Sequence, residues 1–273
     1  MSVSKIESPV EFSVASQLLN DAQLLMDEGR KIISAINSSS KDTKRKNDRT
    51  FVTQADIQIE EHFRSWILKH YPTHGVLGEE YGATNPDAEF QWILDPIDGT
   101  SEFVAGLPLY GSILAIAYKG KPFVGVIDHA ALDIRIAGGA GMGVKLNGVK
   151  LPQFEARGDV LDSEIRVAIS SKDLFYRDSD EGLLFDKIVS RFQNIRAYGS
   201  CYAHTYVMSG ALDIALEHNL QIWDVAAAQA LVEELGGKFE VYSERKSSKG
   251  KTLISAVFGK TWAVDALLET IRS

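Results

Sequence analysis

The chain has 273 residues, 45% of them hydrophobic and 24% charged, with a formal net charge of −8. That is material for a sizeable core in one compact unit or two fused ones, while the excess of acid disfavours general binding to nucleic acid or to an anionic membrane surface. One cysteine, Cys201, excludes an intramolecular disulfide, and no run reaches the roughly 18 apolar residues of a membrane span.

From about Pro9 to Ser38, apolar residues at helical spacing (Val10, Val14, Leu18, Leu25, Ile32) predict a long amphipathic helix. The polar, basic stretch Ser38 to Arg49 reads as a loop. A second helix is expected over Gln54 to His70, with Ile57, Phe63, Ile67 and Leu68 on one side. It stops at Tyr71-Pro72, because proline disfavours helix in the residue before it. Gly75 to Leu77 and Phe90 to Leu94 are short apolar runs with strand character. Ser112 to Leu151 reads as a meander of strands, with hairpin turns at Lys119-Gly120 and Asn147-Gly148. A strand over Ile165 to Ile169 and a helix over Gly182 to Phe192 follow. The last third alternates: helix Ala203 to Ser209, strand Ala211 to Leu216, helix Val225 to Leu235, strand Lys238 to Val241. Ser243 to Lys251 reads as an exposed hairpin loop, before a strand over Leu253 to Val257 and a closing helix over Trp262 to Ile271. Layered helices and sheets in two tightly joined halves suit this order. Met1 to Val14 lacks the features of a signal peptide, so a cytoplasmic protein is expected.

Three acidic groups close apolar runs: Gly78-Glu79-Glu80, Asp95-Pro96-Ile97-Asp98-Gly99-Thr100 and Trp223-Asp224. An apolar strand followed at once by carboxylates puts those carboxylates on the rim of a sheet, where α/β proteins tend to build sites. Hard divalent cations prefer oxygen ligands, and their charge would also let an acidic protein accept an anionic substrate. Asp95 and Asp98 lie three apart across a proline that bends the chain, so both carboxylates, with the Ile97 carbonyl, can face one ion pair. If a helix starts at Gly99-Thr100, its N–H groups can hold a phosphate oxygen. Taken singly, the hexapeptide is a turn sequence, Glu79-Glu80 a solvated pair and Asp224 a helix N-cap. Their order, each behind an apolar run, turns the reading toward a metal site.

These residues resemble the inositol monophosphatase family of magnesium-dependent, lithium-sensitive phosphatases. The resemblance covers nearly the whole chain: Lys46 to Asp56, with Val52-Thr53-Gln54-Ala55-Asp56; the Gly78-Glu79-Glu80 element; the Asp95 to Thr100 hexapeptide; and Trp223-Asp224-Val225-Ala226-Ala227-Ala228 with Gly236-Gly237 behind it. It implies an α+β fold, a layered αβαβα sandwich of the inositol monophosphatase and sugar phosphatase type. The whole of residues 1–273 would be a single catalytic unit. Its halves would be about 1–155 (metal and phosphate) and 156–273 (alcohol recognition and Asp224). It implies two or three Mg2+ ions held by Glu79, Asp95, the Ile97 carbonyl, Asp98 and Asp224. Glu79 and Thr100 would activate the attacking water, with Asp98 also counted as catalytic. Gly99 and Thr100 would cradle phosphate, and Thr53 and Asp56 would support the ligands from behind. The substrate would be a small phosphorylated metabolite, and the assembly a homodimer.

The alcohol of the substrate is read in this family by a region resembling Gly199-Ser200-Cys201-Tyr202 together with Glu217, here counted with Asp224 as substrate-binding. A carboxylate that accepts hydrogen bonds from hydroxyls suits a polyol such as inositol 1-phosphate. Ser170-Ser171-Lys172-Asp173-Leu174-Phe175, Cys201-Tyr202-Ala203 and Val126-Ile127-Asp128 look instead like the histidinol-phosphate phosphatase branch. Ser200, however, stands where that branch usually carries Asp. Glu102-Phe103 resembles the nucleotide 3′-phosphatase branch, but Ser101 replaces its usual Lys. His204 and His218 read as packed core residues, and His62, His70, His74 and His129 have no metal-ligand spacing. A non-catalytic binding module is the remaining alternative.

Overall fold

The computed structural model describes residues 8–37, 43–45, 51–157, 160–169, 175, 182–198, 200–247 and 250–273. In chain order these form α1 (Phe12–Asn37), β1 (Thr43–Arg45), β2 (Phe51–Thr53), α2 (Gln54–His70), β3 (Gly75–Gly78), β4 (Gly82–Thr84), β5 (Phe90–Asp98) and α3 (Thr100–Ala105). The meander is β6 (Gly111–Tyr118), β7 (Lys121–His129), β8 (Ile134–Gly139), β9 (Gly143–Leu146) and β10 (Val149–Lys150). Then come β11 (Arg166–Ile169), α4 (Gly182–Arg191), β12 (Asn194–Ala197), α5 (Ser200–Met208), β13 (Ile214–Leu220), α6 (Ile222–Glu234), β14 (Lys238–Lys246), β15 (Thr252–Gly259) and α7 (Thr261–Arg272).

Alternation along the strands decides the layering. Trp92 and Leu94 of β5, with Leu114 and Ile116 of β6, join a core with Leu18, Leu25, Ile59 and Phe63 of α1 and α2. Their neighbours Ile93, Ile113 and Ala115 point to the opposite core, shared with Val207 of α5 and Ala227 and Leu231 of α6. Strands buried on both faces read as unbroken apolar runs, because every residue meets a covered surface. Ile214, Leu216 and Val257 of the second sheet face Ile188 of α4 and Val264 and Leu267 of α7. The order is therefore helices, an eight-stranded sheet (β10-β9-β8-β7-β6-β5-β3-β4), helices, a five-stranded sheet (β12-β11-β13-β15-β14), helices. This is the expected layered α/β sandwich. No helix among the described residues is long and apolar enough to cross a membrane.

Local sequence explains most boundaries. Thr53 caps α2, its hydroxyl accepting from Ala55 N–H (3.2 Å) while Asp56 accepts from Thr53 N–H (2.7 Å). The hairpin residues Lys119 and Asn147 take φ of 50° and 47°, each ahead of a glycine, as their turns require. Two expectations change. Thr43–Arg45, read as loop, pairs antiparallel with Phe51–Thr53; a small two-stranded ribbon needs no apolar face, so hydrophobic patterning does not announce it. The rest of the Ser38 to Arg49 stretch, the start of the Lys46 to Asp56 motif, and residues 170–174 of the Ser170 to Phe175 motif lie outside the described residues. The Ser243 to Lys251 loop shrinks, because β14 continues to Lys246 opposite Thr252 of β15. A half-exposed strand whose solvent side is charged looks like a loop in composition.

Asp128 has a structural part. It is 2% exposed and takes hydrogen bonds from Arg30 Nε (2.8 Å) on α1 and from Arg135 on β8, pinning the first helix to the sheet. Removing the carboxylate leaves two part-buried guanidinium groups with only their more exposed partners, Asp133 for Arg30 and Asp27 for Arg135. Asp128→Ala is expected to cost about 3 kcal/mol in urea unfolding, whereas a change below about 0.5 kcal/mol would show that the clamp contributes nothing.

Candidate active site and metal centre

Strand β5 carries Asp95 out of the core and continues through Asp98, four residues further than its apolar run. Opposite β6 its register slips by one residue: Asp95 pairs with Ile113 and Asp98 with Gly111. Pro96 has no N–H to offer the ladder, so the extra residue falls at Pro96-Ile97 as a bulge. Ser112 Oγ donates to the Pro96 carbonyl (2.6 Å) and fixes it. The bend expected at the proline is thus a bulge inside a strand, and it turns Asp95 and Asp98 to one end of the sheet.

Asp224 arrives on α6, the helix that follows β13 of the other sheet. It occupies the third residue of α6, where its Oδ2 accepts from Gln221 N–H (2.6 Å); Gln221, not Asp224, is the N-cap. One ligand oxygen each from Asp95, Asp98 and Asp224 lies within 4.8 Å of the others. Asp95 Oδ1 is buried and makes no hydrogen bond. Burial, then repulsion from Glu79, Asp98 and Asp224, pushes the Asp95 carboxyl well above the usual range. Burial and then Asp98 do the same to Asp224. Burial raises Asp98 to about 6, against the opposing pull of His204 and the Cys201 N–H. Three converging carboxylates, all raised and one with an orphaned buried oxygen, form a hard-oxygen donor set that fits a divalent cation.

Glu79 stands outside that trio, close enough to act on both Asp95 and Asp224. A residue that sequence reading passed over holds its turn. Glu60 of α2, fully buried, accepts from Glu80 N–H (2.8 Å), Tyr81 N–H (3.1 Å) and Arg64 Nε (2.8 Å). A Cβ on Gly78 would lie 2.1 Å from Glu60 Oε1, so only glycine lets the turn close on this carboxylate. The i, i+4 pair Glu60 and Arg64 inside an apolar helix face was the available signal.

Gly99 takes φ of 86° and Thr100 opens the short helix α3. Thr100 Oγ1 donates to the Ile97 carbonyl (3.0 Å). Thr53 and Asp56 form the α2 cap, and Asp56 lies near enough to raise Asp95 further. Ser200, also at positive φ (57°), donates to the Leu109 carbonyl (2.6 Å), and the next residue, Cys201, gives its N–H to Asp98 Oδ2. The thiol is buried, and that burial and Asp98 push it well up, so it is no nucleophile. Gly199 lies outside the described residues. Glu217 of β13 is 5% exposed, not a surface charge, and His204 binds it (Nε2 to Oε1, 2.9 Å). His204, expected as plain core, therefore belongs to this end of the molecule. The site draws on β5, α3, α5, β13 and α6, which meet only because the two sheets share the helical layer between them.

A sequence model of the inositol monophosphatase family matches residues 10–269. The chain belongs to this family. Inositol monophosphatase family members are phosphoric monoester hydrolases, and this chain is a phosphatase of that class. It is 32% identical over 236 residues to the bifunctional phosphatase IMPL2, chloroplastic, of Arabidopsis thaliana, covering 85% of this chain and 66% of the plant protein. It is 33% identical over 212 residues to a histidinol-phosphatase of Chlorobaculum parvum, covering 77% of this chain and 80% of that one. An inositol monophosphatase structure from Zymomonas mobilis shares the fold with a TM-score of 0.78 at 24% identity, over 94% of this chain and 98% of the other. The family is generally metal-dependent, in keeping with the carboxylate trio.

Proposed function

We propose that the chain hydrolyses the phosphate monoester of a small polyol, inositol 1-phosphate or a close relative, with two or three Mg2+ ions. The observation that carries the alcohol is Glu217, a buried carboxylate near enough to Asp98 to raise its carboxyl. Asp95, Asp98, Asp224, Glu79 and the Ile97 carbonyl would hold the ions. When bound, the metal supplies positive charge for the phosphate and an acidified water.

The protein's own groups do the rest. Thr100 spends its hydroxyl proton on Ile97, which leaves its oxygen to accept from the attacking water, and Glu79 takes up the proton. Gly99 and Thr100 N–H groups hold a phosphate oxygen. The Cys201 N–H keeps Asp98 in place, and Glu217 with Ser200 and Gly199 orients the alcohol. The whole chain acts as one catalytic unit, its first half (1–155) bringing the phosphate end and its second (156–273) the alcohol end. The reading carries with it a homodimer and a cytoplasmic location, which light scattering and fractionation check.

One observation favours a second substrate: the similarity to a histidinol-phosphatase, together with Cys201-Tyr202 in this chain. Phosphate release from inositol 1-phosphate and histidinol phosphate separates the two. The polyol reading expects kcat/KM at least 10-fold higher for inositol 1-phosphate, dependence on Mg2+ and inhibition by Li+. The reverse ratio would replace it with the second reading, and activity in excess EDTA would remove the metal from both.

A further inference from the structure

Helix α5 connects the phosphate end of the site to the alcohol end. Its first turn places Cys201, whose N–H binds Asp98. One turn later, on the same face, stands His204, and its Nε2 reaches Glu217 Oε1 on β13 (2.9 Å). Both side chains are buried, His204 at 1% exposure and Glu217 at 5%. The imidazole is held edge-on by Phe258 of β15, with ring centroids 5.0 Å apart and planes at 80°. His204 Nδ1 is buried and makes no hydrogen bond. With the ring proton on Nε2, Glu217 receives it and no buried N–H lacks an acceptor; with it on Nδ1, a buried donor would be orphaned. The arrangement is therefore a donor fixed on a rigid helix, pointed at a carboxylate on the neighbouring strand.

His204 contributes to the hold on Glu217. β13 slips register between Glu217 and Leu220, so the ladder to β15 does not continue regularly past this residue. A glutamate has three rotatable bonds, and a carboxylate left to find one rotamer loses side-chain entropy each time substrate binds.

We propose that His204 is the positioning residue for alcohol recognition: it holds the Glu217 carboxylate in the orientation that accepts a substrate hydroxyl, and so sets which alcohol is preferred without touching the reacting atoms. This rests on the polyol-phosphate reading above. It separates the two ends of the site. Loss of His204 weakens discrimination between alcohols, and it reaches the phosphate end only through the pull His204 exerts on Asp98, a smaller effect.

The test compares His204→Phe and His204→Gln, the latter able to place an N–H near the position of Nε2. Two substrates are used with Mg2+: inositol 1-phosphate, and p-nitrophenyl phosphate, whose alcohol has no further hydroxyl. The expected result for His204→Phe is a rise of about 10-fold in KM for inositol 1-phosphate with kcat within about twofold, little change in kcat/KM for p-nitrophenyl phosphate, and substantial recovery in His204→Gln. A second readout is the imidazole N–H resonance of His204 in the wild-type protein. It is expected to move in Glu217→Gln and on adding free inositol, and to stay still on adding inorganic phosphate. The inference is overturned if both substrates lose activity together, if inositol 1-phosphate is handled normally by His204→Phe, or if the resonance ignores inositol. Failure of the wild type itself on inositol 1-phosphate, with activity on p-nitrophenyl phosphate retained, would instead sink the polyol reading.

Discussion

Asp95→Asn is expected to lower kcat/KM for any small phosphate monoester by about 10³-fold or more, while making the metal-free protein more stable. Both effects have one source. Asp95 stands at the meeting point of the carboxylates, buried, with an oxygen that has no protein partner and with Glu79, Asp98 and Asp224 all pressing on it. As a ligand, its loss forfeits several kcal/mol of charge stabilisation in the transition state, and each 1.4 kcal/mol is tenfold in rate. Without metal, the same carboxyl either stays charged among like charges or takes up a proton it would not hold in the unfolded chain, and both cost stability. A neutral amide of the same shape removes that repulsion. Thermal unfolding in EDTA at pH 7.5 should then rise by about 3 °C or more, for a gain of about 1 kcal/mol. Full activity in Asp95→Asn would rule out Asp95 as a metal ligand. A fall in the metal-free melting temperature would mean that Asp95 serves the fold, not the ion.

The second large effect is in the coupling of stability to pH. Asp95 and Asp224 are held well above the usual carboxylate range and Asp98 at about 6. An unfolded aspartate titrates at about 4. A carboxyl whose folded value is raised binds protons more tightly in the native state. Its contribution to stability is full below about pH 4 and is lost as pH rises through the folded value, about 6 for Asp98 and well above the usual carboxylate range for the other two. In EDTA the protein is therefore expected to lose stability between pH 5 and 8, by on the order of 1 kcal/mol from Asp98 alone. With saturating Mg2+ the trend reverses, because a cation that needs ionised ligands displaces those protons and binds better as pH rises. Melting curves at pH 5, 6, 7 and 8 with EDTA or Mg2+ decide it. Parallel curves would mean that the cluster does not bind the ion.

The elements of this protein were largely legible because each follows from a local rule. The α2 helix starts at a Thr-x-x-Asp cap and stops before Pro72. The hairpins turn at Lys119-Gly120 and Asn147-Gly148. The core strands read as unbroken apolar runs because both faces of each sheet are covered. The ribbon at Thr43–Arg45 and the charged end of β14 were not legible, since a short ribbon needs no apolar pattern and the end of β14 has no fully buried residue. The acidic residues were legible too, because each closes an apolar run, and their order carries the family resemblance.

What the chain alone determined was a set of acidic residues behind apolar runs: Asp95, Asp98, Asp224 and Glu79, spread over 146 positions from Glu79 to Asp224. Only the tertiary structure decided that three of them converge, because the bulge at Pro96-Ile97 and the cap of α6 act on parts of the chain that meet through the shared helical layer. It also decided the partners that no spacing reveals: Glu60 beneath the Glu79 turn, and His204 beside Glu217. Those pairs join residues on different elements, and their energy comes from burying polar groups that must then find one another, a condition set by packing.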